Sequence, residues 1–369
     1  MTSVPPAKNE APKARVVAEA RRLGFDAVGI ARADVPLEQD FARYETFIEK
    51  GMHGEMGWLA DYREARRRLD TAHILEGAKS VVCVAQSYAR SDERGAEDGA
   101  TTRSIARYAR GRDYHNGLRK KLRKLAKFLR ALGTPEAPVA ARPLCDEEPV
   151  LERAWAGRAG LGFVGKNGLL IVPGGGSFLL LGEVVTTLAI ESDTPMTERC
   201  GTCTRCLDAC PTKAFAAPFV LDPRRCIAYL TIEHRGAVPT QLRAQIGAHV
   251  FGCDDCQSVC PFNARTLAKG APSDPRFLPD ARWEEVSLTD FLSVDDEGFV
   301  RLREGSPIGR ATRVGLARNA AIALGNQGDP SALSALAHAR DSHDADVVRE
   351  AAAWAVETIE KKLRDNSPK

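Results

Sequence analysis

No stretch of this sequence approaches the roughly 18 consecutive apolar residues that a membrane span requires. A continuous apolar segment is also missing near the start, where Arg21-Arg22 is followed by Leu23-Gly24-Phe25-Asp26, so a twin-arginine export signal is not expected. Strong charge of one sign is absent as well, since the net charge of +3 is only mildly basic. These absences predict a cytoplasmic protein with no membrane partner, and the 369 residues predict two or three domains.

Cysteine, by contrast, is abundant. The chain has ten cysteines, and four form the run Cys200-x-x-Cys203-x-x-Cys206-x-x-x-Cys210-Pro211, the spacing by which bacterial ferredoxins hold [4Fe–4S] clusters. A partial run, Cys253-x-x-Cys256-x-x-x-Cys260-Pro261, follows, with Cys226 between the two. The eight residues are the complement for two clusters. By the ferredoxin pattern, one cluster takes Cys200, Cys203, Cys206 and Cys260, and the other takes Cys210, Cys226, Cys253 and Cys256.

Cysteines at such close spacing also serve in zinc sites and in disulfide frameworks. Structural zinc sites usually use two separated C-x-x-C pairs rather than three cysteines at this spacing. A disulfide framework is typical of short secreted chains, which this one does not resemble. Cys83 and Cys145 stand outside the pattern, and Cys83 lies in an apolar run that predicts a buried, structural residue. The spacing therefore favours a protein that transfers electrons.

The first half of the chain has the pattern of an α/β domain. A helix is predicted from Ala14 to Leu23 and another over 61–70. Strands are predicted at Ala27–Ile30 and Ser80–Ala85, with two more between Gly168 and Ile190. The predicted fold class mixes α/β and α+β domains: a disordered start (1–13), an N-terminal α/β domain (14–190), a bacterial 2[4Fe–4S] ferredoxin-like domain (191–270) and an α-helical HEAT-like repeat region (271–369).

A basic amphipathic segment occupies Arg119–Arg130. It has seven basic residues and no acid, and Leu118, Leu122, Leu125 and Leu129 fall on one helical face. Such a helix can be an ordinary surface helix with a solvated basic side, or its basic face can contact the phosphates of a cofactor or a nucleic acid. The sequence alone leaves both interpretations open.

The C-terminal region contains a weak internal repeat. Residues 315–324 are echoed by 347–355, so that Arg318 matches Arg349, and Asp329-Pro330 opens a helix between them. An offset of 31 residues is typical of stacked helix pairs of the HEAT-like kind, which need to pack on the rest of a protein when only two units are present. This region either binds a large partner or is a stabilising helical cap. Arg313, Arg318 and Arg349 are its candidate phosphate contacts.

Two further patterns lie at residues 146–165, between the basic segment and the first cysteine run. Asp146 lies directly before a predicted helix, where a carboxylate is common as a cap. The string Gly160-x-Gly162-x-x-Gly165 is not followed by a clear helix, so it does not predict a dinucleotide-binding turn.

Further blocks stand out beside the ferredoxin run: Arg107–His115, Pro149–Arg153, Gly160–Asn167, Cys226–Glu233 and Arg318–Asn326. In these blocks and their order, from about residue 26 to the last helix, the chain resembles the epoxyqueuosine reductase family of cobalamin-dependent iron–sulfur enzymes. The resemblance implies that the N-terminal domain binds cobalamin. It also implies reduction of epoxyqueuosine to queuosine at the wobble position of tRNA, the last step of queuosine synthesis, with electrons from a low-potential donor of the ferredoxin or flavodoxin type.

The resemblance also implies roles for individual residues. Asp146 matches the family's proton donor, and the neighbouring Glu147 and Glu148 are expected to raise its pKa. No Asp-x-His-x-x-Gly string is present, in agreement with a corrinoid that takes no histidine from the protein. The residues implied near the corrin are Arg68, Tyr108, Asp146, Arg153, Lys166, Asn167 and Leu170.

The same features fit two other classes of protein. A corrinoid reductive dehalogenase would share the cobalamin and the two clusters, but such enzymes usually carry a twin-arginine signal and lack a HEAT-like tail. A non-catalytic ferredoxin-type electron carrier would hold iron and sulfide but no cobalt.

Overall fold

A four-stranded sheet with helices on both faces forms the first half of the protein in the computed structural model, which describes residues 11–90, 100–268, 272 and 274–366. The sheet order is β1-β2-β6-β3, and every neighbouring pair is antiparallel. Two small hairpins, β4-β5 and β7-β8, lie outside it. The strands are β1 Ala27–Arg32, β2 Ser80–Ser87, β3 Ala141–Leu144, β4 Phe163–Val164, β5 Leu170–Ile171, β6 Leu179–Thr186, β7 Phe215–Ala217 and β8 Val220–Leu221.

Helices make up most of the remaining regular structure. They are α1 Pro12–Arg22, α2 Glu38–Glu49, α3 Arg63–Arg67, α4 Ala100–Arg103, α5 Arg107–Arg110, α6 Tyr114–Arg130, α7 Glu152–Arg158, α8 Arg205–Asp208, α9 Ile227–Ile232, α10 Thr240–Ile246, α11 Asp255–Ser258, α12 Pro261–Leu267, α13 Arg282–Glu285, α14 Asp290–Ser293, α15 Asp296–Arg303, α16 Thr312–Gln327, α17 Leu333–Ser342 and α18 Asp346–Asn366. None of the helices within the described residues combines the length and the apolar composition that crossing a bilayer requires.

The sheet explains why β2 reads as an uninterrupted apolar run. All residues of β2 except the last are buried, because helices cover both faces. On one face, Val82 and Val84 pack with α1 and with the leucine stripe of α6. On the other face, Val81 and Cys83 pack with α7 around Trp155. Each fully buried leucine or valine contributes about 2 kcal/mol from the hydrophobic effect.

Several sequence expectations about this half are wrong in detail. The sheet is entirely antiparallel, so the half is α+β rather than the α/β fold predicted, because periodicity reveals strands but not their partners. The helix predicted over 61–70 covers only Arg63–Arg67. The predicted disordered start ends too late, since α1 begins at Pro12, a favourable first helical residue. The rest of that start, residues 1–10, lies outside the described residues.

The helical tail packs on the cysteine-rich segment through a single shared core. Side chains of α9 and α10, such as Leu230 and Leu242, are buried together with those of α16, α17 and α18. Helix α16 is buried along Gly315–Gly325, because α18 covers one side and the cysteine-rich segment covers another. The expectation that the tail packs on the rest of the protein is confirmed.

Candidate active site

The carboxylate of Asp146 is held at the start of helix α6. The Tyr114 hydroxyl donates to Asp146 Oδ2 at 2.7 Å, and His115 Nε2 lies 3.0 Å from the same oxygen. Asp113 caps the helix by accepting from the His115 backbone N–H at 3.0 Å, and its Oδ1 also lies 2.7 Å from His115 Nδ1. Helix capping and site assembly therefore use the same three consecutive residues.

The electrostatics of this cluster favour an ion pair. The hydrogen bonds that His115 donates to Asp113 and then to Asp146 raise the pKa of His115 to about 9. The hydrogen bond from His115 lowers the pKa of Asp146 below its ordinary value, an effect that burial opposes and that Tyr114 reinforces. At neutral pH the histidine is therefore the charged donor and the aspartate the charged acceptor. The proton that the two groups share lies on His115.

The predicted effect of the two neighbouring glutamates is wrong. Glu147 pairs with Arg119 on helix α6, and Glu148 lies 2.7 Å from an Arg142 nitrogen. Both carboxylates are directed to arginines, and the pKa of Asp146 is lowered rather than raised. A sequence shows which acids are adjacent along the chain, but it does not show where their side chains point.

The cysteines form two neighbouring groups. Cys200, Cys203, Cys206 and Cys260 line one small cavity together with Ile171 and Phe262. In the second group, Cys226 and Cys256 are close enough to Cys253 to act on it electrostatically, and Cys210 acts likewise on Cys226. The groups adjoin, because Cys206 also acts on Cys256. All ten cysteines are free thiols. Four thiols around one enclosed space with apolar walls suit a [4Fe–4S] cluster.

Helix α5 connects the second cysteine group to Asp146. The Arg107 backbone N–H donates to Asp254 Oδ2 at 2.8 Å, and the Arg107 guanidinium lies over the Phe178 ring. The next residue, Tyr108, has its ring centroid 6.1 Å from that of Phe251 and 6.2 Å from that of Tyr114. One aromatic side chain therefore separates the loop that carries Cys253 from the tyrosine that binds Asp146.

Two family models match the chain in the regions just described. Residues 199–263 match a model described as a 4Fe-4S double cluster binding domain. Residues 68–146 match a model described as epoxyqueuosine reductase QueG, DUF1730. Among curated proteins, the epoxyqueuosine reductase of Xanthomonas campestris is 41% identical over 347 residues, which cover 93% of this chain and 95% of that protein. The chain belongs to the epoxyqueuosine reductase family.

Other relatives and solved structures agree. The epoxyqueuosine reductase of Gloeobacter violaceus is 43% identical over 86% of this chain and 97% of its own length. A crystal structure of epoxyqueuosine reductase with a tRNA-Tyr epoxyqueuosine-modified stem loop aligns with a TM-score of 0.82 at 30% identity, covering 97% of this chain and 95% of that chain. The resemblance found in the sequence and the two-cluster segment are thereby confirmed.

The seven residues that the epoxyqueuosine reductase resemblance implies near the corrin fall into three places. Tyr108 and Asp146 lie beside Tyr114, as described above. Arg153, on α7, donates to the Gly168 carbonyl and so contacts the turn that carries Lys166, Asn167 and Leu170. Arg68 pairs with Glu64 at 2.8 Å, one helical turn earlier.

Within that turn, two residues face the first cysteine group. Lys166 Nζ donates to the carbonyls of Gly201 at 2.5 Å and Cys203 at 3.0 Å, and Asn167 is only 4% exposed on the cavity wall. Leu170 is 3% exposed and packs in the core beneath α7. The turn at 166–170 therefore links the sheet domain to the cysteine-rich segment.

The sequence reasoning missed the residues around Asp146. His115 and Tyr114 lie in a block that carried the resemblance, but the pattern gave them no role. The available signal was Asp113 as a helix cap, which places the next two side chains at one helix end. Arg310 was also missed. Its Nε lies 3.0 Å from a Glu233 carboxylate oxygen, and its guanidinium carbon lies 5.0 Å from the centroid of the exposed Trp58 ring. The positive charge of Arg310 also helps to lower the pKa of Asp146.

One predicted phosphate contact is excluded. Arg318 is 1% exposed and donates to the carbonyls of Leu230, His234 and Gly236 at 2.6–2.8 Å, so it anchors α16 to the cysteine-rich segment. Its repeat partner Arg349 stays half-exposed and pairs with Asp346.

Proposed function

We propose that this protein reduces epoxyqueuosine in the wobble position of tRNA to queuosine. The observation that carries the proposal is the Asp146–His115 pair, which the aromatic side chains of Tyr114, Tyr108 and Phe251 connect to the loop of the second cysteine group. Converting the epoxide to an alkene breaks both carbon–oxygen bonds, consumes two electrons and two protons, and releases water. The site thus unites a proton source with an electron source.

The eight cysteines are the proposed cluster ligands. Cys200, Cys203, Cys206 and Cys260 would hold one [4Fe–4S] cluster, and Cys210, Cys226, Cys253 and Cys256 the other. Electrons enter from a low-potential donor of the ferredoxin or flavodoxin type. The adjoining positions of the two groups support transfer from one cluster to the other.

Cobalamin is the proposed cofactor at the site, where it supplies a low-potential cobalt centre for two-electron reduction. Cobalamin carries amide groups around its periphery, and these groups accept hydrogen bonds. Donor groups for them are available on the solvent-accessible side chains of Arg68, Tyr108, Arg153 and Lys166. Asn167 and Leu170 are buried and would support these residues from behind.

Asp146 is the proposed proton donor, acting together with His115. In the free protein the transferable proton is on His115, because the pKa of His115 is raised and that of Asp146 is lowered. Transfer back across the 3.0 Å contact makes Asp146 the acid at the epoxide oxygen. The Tyr114 hydroxyl holds the carboxylate in place during this exchange.

The basic face of helix α6 is the proposed contact for tRNA phosphates. This face exposes Lys120, Arg123, Lys124 and Lys127, and the helix begins at the site and extends about 25 Å away from it. We also propose that α16, α17 and α18 form a HEAT-like array that supports the same partner. A cytoplasmic location would give access to tRNA.

The test uses anaerobic protein with reconstituted clusters, added cobalamin, a low-potential reductant and tRNA from cells blocked at the epoxide stage. Mass spectrometry of the digested nucleosides should show epoxyqueuosine losing one oxygen, but only when cobalamin and both clusters are present. Cobalamin binding without conversion would refute the assigned substrate. Iron and sulfide without any bound corrinoid would support a simple electron carrier.

A further inference from the structure

A histidine that the proposed mechanism does not use lies beside the second cysteine group. His249 is half-buried, and its Nε2 lies 3.8 Å from Cys253 Sγ and 3.3 Å from Asp255 Oδ2. The ligand atoms of these three side chains all lie within 4.8 Å of one another. One imidazole nitrogen therefore faces both a proposed cluster ligand and a carboxylate.

The two consecutive aspartates that follow Cys253 have different partners. Asp254 is buried, and its Oδ2 accepts hydrogen bonds from the Arg107 backbone N–H at 2.8 Å and from the Arg107 guanidinium at 3.2 Å. Asp255, whose side chain is 34% exposed, instead has His249 as its hydrogen-bond partner. The first aspartate holds helix α5, and the second helps to orient the imidazole beside Cys253.

The backbone next to Cys253 is held by two neighbouring segments. The Gly252 N–H donates to Thr231 Oγ1 at 2.9 Å, which joins this loop to helix α9. Gly252 has a φ of +73°, and a Cβ added there would lie 2.6 Å from the Ala106 Cβ, so the loop also packs closely against the residue before α5. These contacts fix the position of the Cys253 sulfur relative to His249.

Binding of iron by Cys253 would make His249 the hydrogen-bond donor. A cysteine binds iron as a thiolate, which has no hydrogen to donate and is a better acceptor than a thiol. The Asp255 carboxylate also only accepts, so the hydrogen lies on Nε2. Sulfur is larger than oxygen, and a nitrogen at 3.8 Å is therefore still within range of an N–H···S hydrogen bond. Such a bond stabilises the reduced cluster more than the oxidised one, because the reduced cluster carries one more negative charge, and so raises the reduction potential.

We propose that His249 donates a hydrogen bond to the Cys253 thiolate and thereby raises the reduction potential of the second cluster. This inference rests on the proposed reductase function and on its cluster ligands. In each transfer between the clusters, the first cluster is oxidised by one electron and the second is reduced by one. A higher potential at the second cluster favours this direction, towards the loop of Phe251 and the Asp146 site. His249 is thus a positioning residue that acts through Cys253 and does not touch the substrate.

The test is a potentiometric titration of the anaerobic, reconstituted protein, followed by EPR of the reduced clusters. His249→Leu removes the donor at similar side-chain size, His249→Gln keeps an N–H donor, and the matched control His338→Leu changes an exposed histidine on α17. His249→Leu should make the reduction of one cluster about tenfold less favourable, a fall of about 59 mV in its midpoint potential, and leave the other midpoint unchanged. His249→Gln should recover most of this shift, and His338→Leu should change neither midpoint.

A second measurement detects the hydrogen bond itself and decides the matter if His249→Leu does not assemble its clusters. Pulsed EPR of wild-type protein with ¹⁵N-labelled histidine should show a weak coupling between a histidine nitrogen and one reduced cluster, which His249→Leu removes. Unchanged midpoints, or no ¹⁵N coupling in the wild type, overturn the hydrogen bond while the reductase function stands. A coupling as strong as that of an iron-bound nitrogen also overturns it, because His249 would then be a ligand. A protein that shows the shift and the coupling but converts no epoxyqueuosine keeps the hydrogen bond and overturns only the proposed substrate.

Discussion

Replacing His115 with glutamine tests the charge state of the site. The His115 side chain is 24% exposed, and its pKa of about 9 compares with an ordinary value of 6.5. Each pKa unit corresponds to about 1.4 kcal/mol, so the folded protein favours the protonated histidine by about 3 kcal/mol. Glutamine keeps a hydrogen-bond donor of similar length but cannot carry the charge.

The sign of the pH effect follows from the raised pKa. A group whose pKa is higher in the folded than in the unfolded state stabilises the fold fully below the unfolded value, and this stabilisation disappears as pH rises through the folded value. The His115 contribution should therefore be complete below pH 6.5 and be lost between pH 6.5 and about 9. The difference in free energy of unfolding between wild type and His115→Gln should be about 3 kcal/mol larger at pH 6 than at pH 10.

Two measurements check this prediction. Urea unfolding of both proteins under anaerobic conditions at the two pH values gives the difference directly, since the contributions of the clusters are common to both. NMR titration of ¹³C-labelled histidine gives the midpoint of the one resonance that the variant lacks. A midpoint near 6.5, or an unfolding difference independent of pH, would refute the ion pair and with it the storage of the proton on His115.

Three other predictions concern the site and its frame. Asp146→Asn should keep iron, cobalamin and tRNA binding but lose most turnover; near-normal turnover would remove Asp146 from the acid role. Cys206→Ser should lose roughly four of eight iron atoms, while Cys83→Ser, in the sheet core, should keep all of them by iron analysis. Arg318→Met should lower the free energy of unfolding by about 3 kcal/mol or more, because three buried carbonyls lose their donor. The control Arg349→Met should change the free energy of unfolding by under about 1 kcal/mol. Similar losses in the two variants would contradict the role of Arg318 as an anchor.

Local patterns in the sequence predicted local structure well. The leucine stripe of α6 is buried as expected, with Leu118, Leu122, Leu125 and Leu129 each at most 2% exposed. The strands at 27–30 and 80–85 exist and extend slightly further. The order and direction of strands were not predictable, because an apolar run reports burial on both faces without identifying the neighbouring strand.

The same limit applies to the site. The spacing of the cysteines predicted the two groups of four cysteines, because the geometry of a [4Fe–4S] cluster requires its ligands at that spacing. The roles of Arg318 and Arg349 diverge although they match in the repeat, because burial depends on what packs against each helix. His115 was missed, since its partner Asp146 lies 31 residues away and the two meet only through the fold.

The backbone of Asp146 explains how a single residue can contact the starts of two helices. Its φ of +62° lies in the left-handed region, which aspartate tolerates better than most residues. In this conformation the carboxylate turns towards His115 at the start of α6 while the backbone N–H turns towards Glu152 at the start of α7. A cationic donor therefore lies beside the carboxylate of Asp146, and Glu152, whose pKa burial and the charge of Asp146 raise to about 7, lies beside its backbone N–H. The Glu152 contact thus fixes the backbone of Asp146, while the His115 contact sets the charge of the carboxylate that the reaction uses.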